Sequence, residues 1–102
     1  MQSISVRQLH EQLEDFTIID VREKWEWDIG HIAKACHIPL KDFTTKSEEL
    51  DQNSCIAVVC HHGGRSAKAA AFLLQQGFTT VYNVSGGMDA WSKEIDPSVP
   101  LY

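Results

Sequence analysis

Cys60-His61-His62-Gly63-Gly64-Arg65-Ser66 brings a thiol, two imidazoles, two glycines, a guanidinium and a hydroxyl together in one unbroken stretch. It follows the apolar run Cys55–Val59 and precedes the alanine-rich run Ala67–Gln76, so it reads as a strand feeding a tight glycine turn into a helix. Such a turn leaves the cysteine at the mouth of a ring of backbone N–H groups, where a negative sulfur, or a negative group bonded to it, is stabilised without a metal. A thiol is a useful nucleophile only as its thiolate, and a helix N-terminus with nearby cations favours that form. Gly63 and Gly64 permit the left-handed backbone that turns several N–H groups inward, Arg65 supplies a local positive charge, and Ser66 can add a hydroxyl donor.

Other readings of the stretch fit less well. A phosphate-binding loop requires G-x4-G-K-[ST], which Gly63-Gly64-Arg65-Ser66 does not supply. Zinc binding by Cys60, His61 and His62 is disfavoured because consecutive side chains diverge and no second ligand cluster has the usual spacing. A plain connector would not need two histidines, two glycines and an arginine at one strand end. A cysteine phosphatase is the remaining rival.

The rest of the chain must position this loop. With 102 residues, 43% of them hydrophobic, and three tryptophans, a single domain over residues 1–102 is expected. No apolar run is long enough for a membrane span, and Met1–Val6 lacks the basic and apolar regions of a signal peptide, so the expected compartment is the cytoplasm. Three cysteines, Cys36, Cys55 and Cys60, leave at least one free thiol. A net charge of -5 with nine basic residues argues against a nucleic-acid partner and means that an anionic substrate must be drawn in by the loop's own field.

Ser5 and Gln8 read as a capping box for an opening helix, Val6–Leu13, with His10 at the border of its apolar stripe. Phe16–Val21 reads as a strand buried on both faces, ended by Asp20 on the side where ligand loops gather; Asp20 and Arg22 are expected to order those loops through hydrogen bonds and ion pairs. A short helix over Glu23–Ile29 should end at Gly30, with Trp25 and Trp27 on different faces. Cys36–Ile38 is a short strand closed by Pro39; Leu40–Thr45 and Ser47–Leu50 are short helical pieces, the second capped by Ser47. Cys55–Val59 is the central strand. Ala67, Ala70, Ala71 and Leu74 give the next helix its buried face, Val81–Val84 is the last strand, and Trp91 anchors a final helix over Met88–Glu94 before an irregular tail. The alternation gives an α/β fold, a central parallel sheet of about five strands with helices on both faces.

Three groups of residues carry a resemblance that spans nearly the whole chain. They are Ile19-Asp20-Val21-Arg22-Glu23 with Gly30-His31-Ile32, Val58–Ser66, and Val81–Trp91. With these the chain resembles a single-domain rhodanese, a sulfurtransferase. The resemblance implies a parallel α/β domain of this size. It also implies that Cys60 takes the outer sulfur of thiosulfate or another small anionic donor as a persulfide held by the N–H groups of His61, His62, Gly63, Gly64, Arg65 and Ser66. The sulfur then passes to cyanide, a thiol or a dithiol protein, with no cofactor and no metal. A preformed thiolate needs no general base, so His61 and His62 either gate access or contact the donor, or are simply solvent-exposed. Related cysteine phosphatases and arsenate reductases have five residues between cysteine and arginine; this chain has four, and the tighter ring suits sulfur better than a tetrahedral phosphate. Rhodanese-like domains also serve as noncatalytic binding or regulatory modules, which commonly lose the cysteine; Cys60 is present. Ala33-Lys34 in place of a common Pro-Gly, and Trp27 where a smaller aromatic is usual, bear on donor specificity.

Overall fold

The computed structural model describes residues 2–102. Five strands, β1 (Gln2–Ile4), β2 (Thr17–Asp20), β3 (Cys36–His37), β4 (Ile56–Val59) and β5 (Val81–Val84), form one sheet in the order β1-β5-β4-β2-β3. Every pairing is parallel. The helices are α1 (Val6–Glu11), α2 (Lys24–Ile29), α3 (Phe43–Lys46), α4 (Gly64–Gln75) and α5 (Gly87–Glu94). Among the described residues no helix is long and apolar enough to cross a membrane.

Strand side chains alternate between the two sheet faces, and each face has its own core. Ile18, Ala57, Val59 and Val84 meet Leu9 of α1 and Met88 and Trp91 of α5 on one side. On the other, Ile19, Val21, Ile56, Val58 and Val81 meet Phe43 of α3 and Ala69, Ala70 and Leu73 of α4. All four β4 residues are buried, as the middle of a parallel sheet requires.

Several local expectations shift. β1 adds a strand that the sequence pattern does not mark: it is an edge strand of three residues, of which only Ile4 is buried, so it carries no usable alternation. The capping box of Ser5 and Gln8 is present, but α1 stops at Glu11, and Leu13–Asp15 is a separate 3-10 turn. Ser47 is not an N-cap. It opens a 3-10 turn, Ser47–Glu49, that follows α3 without a break. The buried face of α4 is Ser66, Ala69, Ala70 and Leu73, one residue earlier than the alanine pattern gives. Both sets have helical spacing, and a run of alanines cannot separate them; the polar Ser66 takes the inward position because the loop uses its hydroxyl. Gly30 does end α2, but its φ of 163° is extended backbone. A Cβ there would meet the Val99 side chain at 2.9 Å, so the close approach of the tail is what requires glycine.

Candidate active site

Because the strands are parallel, Asp20, Cys60 and the Ser85-Gly86-Gly87 turn all emerge at the C-terminal edge of the sheet, where sites gather in this architecture. Cys60 follows the last residue of β4 and is 1% exposed. Its Sγ accepts a hydrogen bond from the Gly63 N–H at 3.1 Å and lies 3.3 Å from Ser66 Oγ. Ser66 Oγ donates to Asn83 Oδ1 at 2.5 Å, and Asn83 Nδ2 donates to the Gly63 carbonyl at 3.1 Å. One amide on β5 thus ties both ends of the turn.

Gly63, at φ 128°, is the N-cap of α4 and provides the turn that aims its N–H at the sulfur. Gly64 does not share that role: its φ is not positive, and nothing lies within 4 Å of a Cβ built on it. It is the first residue of the helix, where backbone is ordinary. The strained glycines on the other side of the site are Gly86 and Gly87, with φ of 80° and 55°. A Cβ on Gly87 would collide with the Cys60 and His61 carbonyl oxygens. That clearance lets the start of α5 cap the loop, with Met88 N–H donating to the Cys60 carbonyl at 2.8 Å and Asp89 N–H to that of His61 at 3.0 Å.

The Arg65 guanidinium is not free. It grips the Glu26 carboxylate bidentately, at 2.5 and 2.8 Å, and Glu26 is only 3% exposed. The Arg65 hydrogen bond, aided by one from Tyr102 and opposed by burial, holds the Glu26 carboxyl down to about 2, and the same pairing raises Arg65. Tyr102 Oη also accepts from Arg22 Nη1 at 3.0 Å, and its ring lies 4.2 Å from that of His61; burial first, then the bond to Glu26, pushes the phenol up to about 12.

Asp20 and Arg22 are both fully buried and bidentately paired, with Arg22 Nε at 2.9 Å from Asp20 Oδ1 and Nη2 at 2.8 Å from Oδ2. Arg22 Nη2 also donates to the Gly30 carbonyl at 2.7 Å, and its own carbonyl meets His37 Nε2 at 2.7 Å. This pair fastens the loop after β2 to Gly30 and the tail, and it has no contact with the sulfur. His61 is half-buried and His62 exposed, with ring centroids 3.9 Å apart. Burial, then the neighbouring His62, lowers the pKa of His61. Cys36 is exposed, and Cys55 is partly buried, which raises its pKa.

Glu26, Asn83 and Tyr102 were missed in the sequence. Glu26 had a signal: it lies three residues after Glu23, completing a capping box, and it falls between Trp25 and Trp27, whose faces point elsewhere. Trp25 is 57% exposed, whereas Trp27 stacks between His31 and His37. Asn83 had a weaker one, an amide inside an apolar strand. Tyr102 had none, since only the fold returns the tail to α2.

The model of the rhodanese-like domain matches residues 5–94, and the chain belongs to that family. A rhodanese-related protein from Thermoplasma volcanium superposes with a TM-score of 0.87 at 38% identity, covering 93% of this chain and 94% of that one. The chain is 36% identical to rhodanese-like/PpiC domain-containing protein 12, chloroplastic, of Arabidopsis thaliana; all of this chain matches, but it spans only 38% of that relative's length. An NAD-dependent persulfide reductase from A. fulgidus is 33% identical over 89% of this chain and 16% of its own, with a TM-score of 0.74.

Proposed function

We propose that this chain is a sulfurtransferase acting through a Cys60 persulfide, in a single domain over residues 1–102. The observation that carries the reading is the sulfur's own setting: Sγ is held by the Gly63 N–H and beside Ser66 Oγ at the mouth of α4. In the first half-reaction the Cys60 thiolate attacks the outer sulfur of thiosulfate. The sulfur–sulfur bond of the donor breaks, and sulfite leaves with the bonding pair. The terminal persulfide sulfur then carries the negative charge, to be met by N–H groups of the loop, of which that of Gly63 already points at Sγ, and by the Ser66 hydroxyl once it turns from Asn83. In the second half-reaction a nucleophilic acceptor, cyanide or a thiolate, takes that sulfur and returns Cys60 as thiolate. No proton has to move, so His61 and His62 are not needed as bases.

Arg65 enters this reading as a wall of the loop, because its charge is shared with Glu26; the Gly63 N–H and the N-terminal end of α4 then supply the field that meets the donor. The four-residue spacing favours sulfur over phosphate, and a reducing cytoplasm suits three unpaired cysteines. The persulfide reductase likeness is compatible with the same chemistry on a fused domain.

Incubation with thiosulfate followed by mass spectrometry tests the proposal. One added sulfur atom is expected on Cys60, none on Cys60→Ser, and cyanide should remove it as thiocyanate. An unmodified wild-type protein would sink the reading in favour of a binding module, and hydrolysis of a phenyl phosphate would favour a phosphatase.

A further inference from the structure

The fold brings Asp89 to the two histidines that stand alone in the sequence. His61, His62 and Asp89 each present one ligand atom, and these atoms lie within 4.8 Å of one another. His62 Nε2 is 4.0 Å from Asp89 Oδ2. The consecutive histidines do not diverge: their rings meet edge to face with centroids 3.9 Å apart. We propose that this trio is a binding site for a divalent transition ion of the zinc, cobalt or nickel class, on the rim of the Cys60 loop.

Geometry supports it first. Three atoms no more than 4.8 Å apart fit a circle of radius about 2.8 Å, against ligand distances of about 2.0–2.2 Å for zinc with nitrogen and oxygen. Each side chain therefore has to close in by roughly 0.6–0.9 Å. The backbone has already fixed two of the three: Asp89 N–H donates to the His61 carbonyl, which locks the start of α5 to the loop. The third, His62, is 68% exposed and already approaches Asp89.

The chemistry of the donors points the same way. The His61 Nδ1 atom is buried and has no hydrogen-bond partner, so no protein hydrogen bond at that atom must be broken for the ring to turn toward an ion. Two imidazoles and one carboxylate select borderline transition ions over magnesium or calcium, which take oxygen donors. The present partner of Asp89 is Lys93 Nζ, at 3.0 Å. That is a surface pair worth little, and a divalent ion displaces it readily. Three protein ligands leave a position open on the solvent side.

Cobalt(II) titration of the intact protein, followed by visible absorption and by competition with a metallochromic dye, tests the site. Wild-type protein should bind one ion per chain with a nitrogen–oxygen spectrum. His62→Ala and Asp89→Asn should each weaken binding by at least about tenfold, as loss of a ligand exceeds loss of its support. Lys93→Ala should tighten it, because it removes the competing cation. Cys60→Ser separates this site from a thiolate site and should bind as wild type does. No binding, a thiolate-to-cobalt charge-transfer band that vanishes in Cys60→Ser, affinity unchanged in both His62→Ala and Asp89→Asn, or weaker binding in Lys93→Ala would each overturn the proposal. Sulfur loading of Cys60 is read separately, so the site stands or falls independently of the sulfurtransferase reading.

Discussion

Arg65 places both ends of its guanidinium on the Glu26 carboxylate, and this pair, bridging the first turns of α4 and α2, braces one wall of the Cys60 loop. Removing only one charge leaves the other without its partner in a half-buried place. Glu26→Gln should therefore lower the stability at pH 7 by about 1–3 kcal/mol, less than for a fully buried pair because the Arg65 side chain is 36% exposed. Urea denaturation checks this as a lower midpoint at unchanged slope. A midpoint equal to wild type would mean that the pair braces nothing.

The same carboxylate gives an acid signature. Its folded pKa of about 2 lies below its ordinary 4.5, so the unfolded chain binds the proton more readily. The stabilisation is fully present above about 4.5 and is lost as pH falls toward 2. Wild type should thus lose more stability than Glu26→Gln across that window, and the two curves should converge at its lower end. Parallel curves in a pH series of thermal melts would contradict the assignment.

What could be read from the sequence followed the strength of each local signal. β2, β4 and β5 are apolar runs bounded by turns, and Cys60–Ser66 has a composition that few connectors share, so fold and loop were legible. β1 was not, since its three residues gain order only by pairing with Tyr82–Val84. Arg65 was legible as a charge, but its engagement was not. Glu26 comes from a crossover between other strands, and only the parallel topology carries it to the loop. Tyr102 depends on the tail folding back over Gly30, which no periodicity encodes.

The glycines around the site divide by their backbone. Gly87→Ala forces a methyl group against the Cys60 and His61 carbonyls at a φ of 55°, and should cost about 3 kcal/mol or more and detach α5 from the loop. Gly64→Ala meets open space on ordinary helical backbone and should leave stability within about 0.5 kcal/mol of wild type or raise it. Thermal melts of the two variants distinguish this from the expectation that both loop glycines, Gly63 and Gly64, need left-handed freedom. A destabilised Gly64→Ala would restore it.

Ser66 has one hydroxyl proton and two takers. Asn83 Nδ2 is committed to the Gly63 carbonyl, so its Oδ1 faces Ser66 and takes that proton, while Ser66 Oγ can accept from the thiol of Cys60. Once the sulfur is anionic it has no proton to give, and the hydroxyl does better by turning to it, since a bond to a charged acceptor is worth about 1.5–3 kcal/mol against about 1 for a neutral one. The net gain is the difference, about 1 kcal/mol, because the bond to Asn83 is given up in exchange, and it reaches the rate by raising the share of Cys60 present as the attacking thiolate. Ser66→Ala should accordingly slow persulfide formation from thiosulfate by roughly 5- to 10-fold at fixed pH, not by the hundredfold or more typical of an unshared donor. Single-turnover measurement of sulfite release reads the step directly. A rate within about twofold of wild type would show that the hydroxyl stays with Asn83 throughout, and a loss of about a hundredfold that the sulfur never shares it.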